Sequence, residues 1–251
     1  MHGRATISRQ QLAEIEAAAV RSWPALETAD LDGWLWRYAS GGSQRANSVA
    51  TLSFAGTSVE RAICEAEVRY RAKGAVCRFT IAGVTAPGDL DQRLAALGYE
   101  RGQDHLTMLR EVRATATIPA SVELIQDATP EWIEVYLCGL NDDRKVVAPS
   151  ILAGLPARRT FFAYRRQGRI VSSGLSIVDG QLASVQCMAT LPEARRQGGA
   201  LAILSAIEAR ALHDGCTHLY LQAEVANAAA LALYAGFGFR VAGRYHLRTK
   251  P

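Results

Sequence analysis

The sequence predicts an α/β chain, and three observations carry this. Short runs rich in β-branched and aromatic residues alternate with longer segments of helical periodicity along the 251 residues. Asp179-Gly180 sits between two apolar runs and reads as a hairpin turn. The run Leu94-Ala-Ala-Leu-Gly98-Tyr99 before a strand is echoed by Leu233-Tyr-Ala-Gly-Phe-Gly238-Phe239 before another, which points to an internal repeat.

Composition bounds the answer. A chain of 251 residues makes one large domain or two small ones. Hydrophobic content of 49% with 21% charged residues is that of a soluble globular protein with a full core. No apolar run approaches the ~20 residues of a membrane span. The net charge is only +4, and the arginines are spread without a basic cluster interleaved with aromatics, so neither a nucleic acid nor a membrane is expected as partner. The five cysteines are odd in number and form no Cys-x-x-Cys pair, which reads as free thiols in a reducing cytoplasm without a zinc site. Residues 1–10 are polar and lack the apolar stretch of a secretory signal, so a cytoplasmic location is expected.

Taken in order, Ser8 opens an apolar-periodic helix (Leu12, Ile15, Ala18, Ala19) that ends near Trp23-Pro24. Residues 33–38 are strand-like, with Trp34, Trp36 and Tyr38 on one face. Gly41-Gly42-Ser43 is a turn. Residues 45–54 read as a second strand, with Arg45, Asn47 and Val49 on a common face. Arg45 and Asn47 then serve strand pairing or a local ion pair, or else point into a substrate groove. A capped helix over residues 58–73 stops at Gly74, followed by a strand at 75–81, a helix at 90–97 and a strand ending at Leu109. Residues 113–119 lack periodicity and read as a linker, dividing the chain into 1–112 and 113–251.

In the second part, residues 122–126 form a strand, and Thr129-Pro130 starts a helix that runs to about residue 140. The charged residues 141–145 read as a solvated turn, or as the lining of a site if the resemblance drawn below holds, and a short helix follows over 149–155. Strands are expected at 160–165, 170–178 and 182–190. A helix over 201–213 buries Leu201, Leu204, Ile207 and Ala211 and ends at Gly215. A strand at 219–223, a helix at 227–235 and a strand at 239–246 complete the pattern.

The stretch between the third strand and the long helix is Pro192-Glu-Ala-Arg-Arg-Gln-Gly-Gly-Ala200. Gly198 and Gly199 allow unusual backbone angles and close approach of a ligand. The first N–H groups of the following helix lack intrahelical partners, and with the helix dipole they suit a phosphate. Arg195 and Arg196 add permanent positive charge. The stretch is neither a P-loop, since no Gly-Lys-Ser/Thr follows, nor a dinucleotide fingerprint, since the Gly-x-Gly-x-x-Gly spacing is missing.

The Arg195-x-x-Gly198-x-Ala200 core, followed by Asn227, Ala230, Leu233, Tyr234, Gly238 and Phe239, resembles the GNAT (general N-acetyltransferase) superfamily. That family has a Gln/Arg-x-x-Gly-x-Gly/Ala cofactor loop and then an Asn-x-x-Ala-x-x-Leu-Tyr-x-x-x-Gly-Phe helix. The resemblance covers roughly residues 117–251. It implies a mixed α/β sheet splayed at its centre, with acetyl-CoA wedged between two strands; the histidines show no metal spacing, so no metal is expected. It implies that Met188, Ala189 and Thr190 pair with the pantetheine arm, while Arg195, Arg196, Gln197, Gly198, Gly199 and Ala200 hold the pyrophosphate. Asn227 would hydrogen-bond the arm or brace the loop, and Tyr234 would stand near the sulfur. The first part of the chain is then a degenerate GNAT-like half. Its counterpart loop near residues 53–58 lacks the arginines and the glycine spacing, so that half is expected to bind no CoA.

An amine that attacks a thioester must lose a proton, and the departing thiolate must gain one. Tyr234 is the expected acid. Glu224, three residues before Asn227 at a strand end, is the expected base or else an exposed carboxylate; His246 and Glu123 are weaker candidates. The backbone N–H of Met188 or Thr190 is aimed at the thioester oxygen in this reading. Cys187 stands beside the thioester site, but no histidine is placed to activate it. The expected function is transfer of an acetyl group from acetyl-CoA to the primary amine of a small molecule by direct attack, in a chain that is monomeric or homodimeric. A non-catalytic acyl-CoA-binding regulator and an acyltransferase using a longer acyl-CoA remain as alternatives.

Overall fold

The computed structural model describes residues 7–251; most of the polar N-terminal stretch, residues 1–6, lies outside the described residues. The first helix, α1 (Arg9–Ser22), is capped by Ser8, whose Oγ accepts from the Gln11 N–H at 3.1 Å. Next come β1 (Glu27–Leu31), β2 (Trp34–Tyr38), β3 (Val49–Ala50), α2 (Val59–Ala72), β4 (Cys77–Ala82), α3 (Leu90–Ala96), β5 (Glu100–Arg101) and β6 (His105–Glu111). The second part runs β7 (Val122–Ile125), α4 (Pro130–Leu137), α5 (Asp142–Ala153), β8 (Arg159–Arg166), β9 (Arg169–Asp179), β10 (Leu182–Ser184), β11 (Gln186–Thr190), α6 (Gly199–His213), β12 (His218–Glu224), α7 (Ala228–Phe237) and β13 (Arg240–Lys250).

The strands join in one mixed sheet of order β1-β2-β3-β4-β13-β6-β12-β10-β9-β8-β7, with β5 on β13 and β11 on β9. Pairs β3–β4 and β10–β12 are parallel, and the other pairs are antiparallel. The last strand, β13, lies between β4 and β6, while β6 lies between β13 and β12. Each part of the chain thus lends a strand to the other's sheet. Glu208 on α6, fully buried, pairs with Arg110 on β6 at 2.9 Å and with Arg113 at 2.6 Å, so the crossing is also tied by charge.

The echo between the two parts is structural. α3 and α7 end in the same left-handed glycine, Gly98 (φ 82°) and Gly238 (φ 102°). The following Tyr99 and Phe239 N–H groups donate back to the carbonyls of Leu94 (3.0 Å) and Tyr234 (2.9 Å). Leu94 therefore holds in the first copy the place that Tyr234 holds in the second.

Several expectations need correction. β1 was not expected; Asp32 (φ 54°) and Gly33 (φ 95°) form a hairpin turn that joins it to β2. The strand expected over 45–54 shrinks to Val49–Ala50 because Asn47 folds the chain back on itself. Its Oδ1 accepts from Ala39 N at 2.8 Å, and its Nδ2 donates to the carbonyls of Gly41 and Ser43 at 2.7 and 2.8 Å. Such local bonds compete with a ladder. Residues 141–145 are not a turn: Asn141 caps α5, accepting from Arg144 N at 3.0 Å, and Pro149 lies inside that helix rather than starting one. Buried Val147, Ala148, Ile151 and Leu152 hold α5 against the core and offset the proline. Leu201 is exposed, because α6 begins at Gly199 and buries the stripe Ile203, Leu204, Ala206, Ile207 and Ala211 instead.

Asn47 is 1% exposed, so Asn47→Ala should leave buried backbone groups unpaired. A loss of about 1–3 kcal/mol is expected, read as a lower midpoint in urea unfolding. An unchanged midpoint would show that the 39–47 loop does not depend on this side chain.

Candidate active site

The parallel ladder between β10 and β12 ends at Ser184 and Tyr220, with one further bond from Val185 N to the Tyr220 carbonyl at 2.8 Å. Beyond it, β11 pairs with β9 and leaves β12. The departure is produced by a register break between Gln186 and Ala189, where Cys187 takes φ 52°. The two strands part like a V, which is the splay implied by the resemblance.

A cavity of about 460 Å³ enters this V. Met188 of β11, Glu224 of β12, and Asn227 and Tyr234 at α7 all line it. Ala189, Thr190 and the loop of Arg195 to Ala200 lie outside this cavity, where β11 runs on toward α6. In that loop Arg196 (φ 58°) and Gly198 (φ 85°) are left-handed. Arg195 Nε donates to the Thr190 carbonyl at 3.4 Å and Gln197 Nε2 to the Glu193 carbonyl at 2.9 Å, so both shape the loop while Arg196 is exposed. α6 starts without a side-chain cap and without an acidic residue in its first turn. A Cβ on Gly199 would collide with the Ser172 hydroxyl, so glycine lets α6 close on β9; a Cβ on Gly198 would meet nothing within 4 Å. The counterpart in the first part differs: Ser58 caps α2, accepting from Arg61 N at 3.2 Å, and Glu60 stands in its first turn.

Tyr234 is 8% exposed, and burial pushes its hydroxyl up to about 12. Among the described residues that hydroxyl has no hydrogen-bond partner. Asn227 caps α7, its Oδ1 accepting from Ala230 N at 3.1 Å. Burial pushes the Cys187 thiol up to about 12, which keeps it protonated and a poor nucleophile. His246 is bound to Asp91 at 2.8 Å and Glu123 to Arg165 at 2.8 Å; neither lines the cavity.

The first part of the chain supplies further cavity residues: His105, which motif reading missed, and Arg45, which takes the groove alternative of the sequence reading, whereas Asn47 does not line the cavity. His105 on β6 lies opposite Glu224 in the β6–β12 ladder and stacks on Tyr245 of β13 at 4.6 Å. Its Nδ1 faces the Gln103 carbonyl at 3.2 Å, which only accepts, so a neutral ring leaves Nε2 free. Burial lowers the His105 pKa, against the opposing pull of Glu224. Arg45 donates to Gln222 Oε1 at 3.3 Å, and Gln222 Nε2 donates to buried Glu16 at 2.9 Å. Arg37 behind it is brought down to about 10, by burial first and Arg45's charge second. Local spacing carries no sign of these pairings, which rest on contacts far apart in the chain.

Among the described residues, no group of His, Cys, Asp and Glu could hold a metal ion, and no helix is long and apolar enough to cross a membrane. None of the five cysteines is paired. A family model described as "Probable histone acetyltransferase Rv0428c C-terminal" matches residues 10–248. An uncharacterized N-acetyltransferase of Bacillus subtilis (strain 168), YobR, is 27% identical over 245 residues, covering 94% of this chain and 98% of its own. A GCN5-related N-acetyltransferase from Kribbella flavida shares the fold with a TM-score of 0.72 at 15% identity, over 99% of this chain and 97% of its own. A tandem GNAT protein from the clavulanic acid biosynthesis pathway superposes with a TM-score of 0.61 at 14% identity, over 96% and 94%. With the splayed strands, the doubled cap motif and a family match spanning nearly the whole length, the chain belongs to the Rv0428c C-terminal family and is an N-acetyltransferase of the GNAT superfamily.

Proposed function

We propose that the protein transfers the acetyl group of acetyl-CoA to the primary amine of a small molecule by direct attack. The observation that carries this reading is the V between β11 and β12, with the unpartnered Tyr234 hydroxyl on the wall of its cavity. The family implies an acyl-CoA co-substrate, and the residues suit one. The uncapped α6 N-terminus, with open space before Gly198, offers N–H groups to a pyrophosphate, with Arg195, Arg196, Gln197, Gly199 and Ala200 around it. Met188, Ala189 and Thr190 offer a strand edge to the pantetheine arm, and Asn227 keeps its amide Nδ2 for it.

Tyr234 assists the departing thiolate. At about 12 its hydroxyl is a weaker acid than a thiol near 8.5, so a hydrogen bond to the developing charge is its main contribution. Glu224, with neutral His105 across the ladder, takes the proton of the amine, directly or through water. The capped, acidic start of α2 argues against a second CoA site, and residues 1–112 act as a degenerate half that completes the acceptor side of 113–251.

The test is release of free CoA thiol from acetyl-CoA in the presence of a panel of primary amines. No release with any amine, together with tight acetyl-CoA binding, would replace this reading with that of an acyl-CoA-binding regulator. Faster turnover of longer acyl-CoA would correct the donor. In a protein that works by direct attack, Cys187→Ala should keep the rate within about threefold and show no acyl-enzyme burst. A rate near zero would restore a covalent route through Cys187.

A further inference from the structure

The cavity carries charge that acetyl transfer itself does not require. Arg45 and Arg144 both line it. Among the described residues neither forms an ion pair: the side chain of Arg45 bonds to Gln222, and Arg144 is fixed through its backbone N–H to Asn141. Arg45 is held in place, lying over the Trp23 ring at 5.2 Å and donating to Gln222 at 3.3 Å. Gln222 is anchored in turn on Glu16. One of five guanidinium donors is used in this way, and the rest of the planar fork is left for a ligand.

Arg144 reaches the same end from the other part of the chain. It stands in the first turn of α5, and Gly42 of the Arg45 loop packs directly against the Asp143 carbonyl. The two arginine-bearing segments therefore touch. Both charges act on the buried Tyr136 and the half-buried Cys187. The carboxylates do not cancel them. Glu16 lies behind Gln222 and accepts from Thr107 at 2.6 Å, Asp142 is turned outward to Lys145, and Glu224 sits at the exposed end of β12.

An acceptor amine that is also an anion fits this layout, with its ammonium toward Glu224 and its anion on the two arginines. We propose that the acceptor carries a carboxylate, as an amino acid does, and that Arg45 and Arg144 form its subsite. The proposal rests on the transferase reading above. A polybasic peptide is the opposite case, since its flanking lysines would meet like charge.

The experiment compares the free L-amino acids with their C-terminal amides, by acetylation from acetyl-CoA and by calorimetric titration into the CoA complex. At least one amino acid is expected to exceed its amide by tenfold or more in kcat/KM. Arg45→Met and Arg144→Met should each narrow that ratio by tenfold or more through KM, with acetyl-CoA affinity within twofold. Arg144 is exposed, so its variant keeps the test valid if Arg45→Met folds poorly. Amides used as well as acids, or lysine-rich peptides preferred to both, would overturn the subsite. If nothing is acetylated, the transferase reading fails by itself, and the titration still decides the subsite: tighter binding of acids than amides supports it, equal binding overturns it.

Discussion

Gly198→Val is expected to abolish acetyl-CoA binding, weakening it by ~100-fold or more. Gly198 precedes α6 at φ 85°, a region that a β-branched residue enters only with strain. Its Cβ would project into open space before the helix start, where the pyrophosphate is proposed to lie. The variant either fills that space or turns the peptide and redirects the first N–H groups of α6. Strain of ~1–2 kcal/mol and the loss of even one hydrogen bond to a charged group, ~1.5–3 kcal/mol, together reach the ~3 kcal/mol that corresponds to ~100-fold. Gly198 is exposed, so folding should survive, and a thermal melt separates misfolding from lost binding. Calorimetry with acetyl-CoA is the deciding measurement. Affinity within threefold of the wild type in a folded variant would remove this loop from the cofactor site.

The contrast between Gly198 and Arg45 explains what the sequence revealed and what it hid. The loop of Gly198 and the helix of Tyr234 are local devices, so their residue spacing is visible along the chain. The left-handed caps at Gly98 and Gly238 are local too, and the repeat was legible through them. Regular alternation puts Arg45 on a strand, yet Asn47 commits its side chain to the backbone of residues 39–43 and bends the chain away. Pro149 suggested a helix start, while the real start was the Asn141 cap eight residues earlier. The crossing of β6 and β13 had no local sign. It depends on which strand edges find each other, and it alone brings His105 opposite Glu224. The His105 side of the cavity wall is therefore out of reach of motif reading, although every residue of it is in view.

Tyr234→Phe should lower turnover by roughly 10–10³-fold, within the range for a general acid, while acetyl-CoA affinity stays within about twofold. Asn227 and Tyr234 stand seven residues apart, about two helical turns, and both line the cavity. The ring packs edge-on against Phe239 at 5.9 Å, a contact that phenylalanine keeps. What is removed is a hydroxyl without a protein partner, so no buried group is orphaned and stability should hold. The first copy has Leu94 at this place in its cap, and an aromatic hydroxyl is not needed to form that turn. The oxygen is thus free for the role proposed for it, which is to meet the thiolate as charge develops there. Its raised pKa makes it a hydrogen-bond donor that holds its proton, which favours the lower part of the expected range. The rate must be read at saturating amine, where chemistry limits. A variant that turns over within twofold of the wild type there would return Tyr234 to the core and leave the departing thiolate to water.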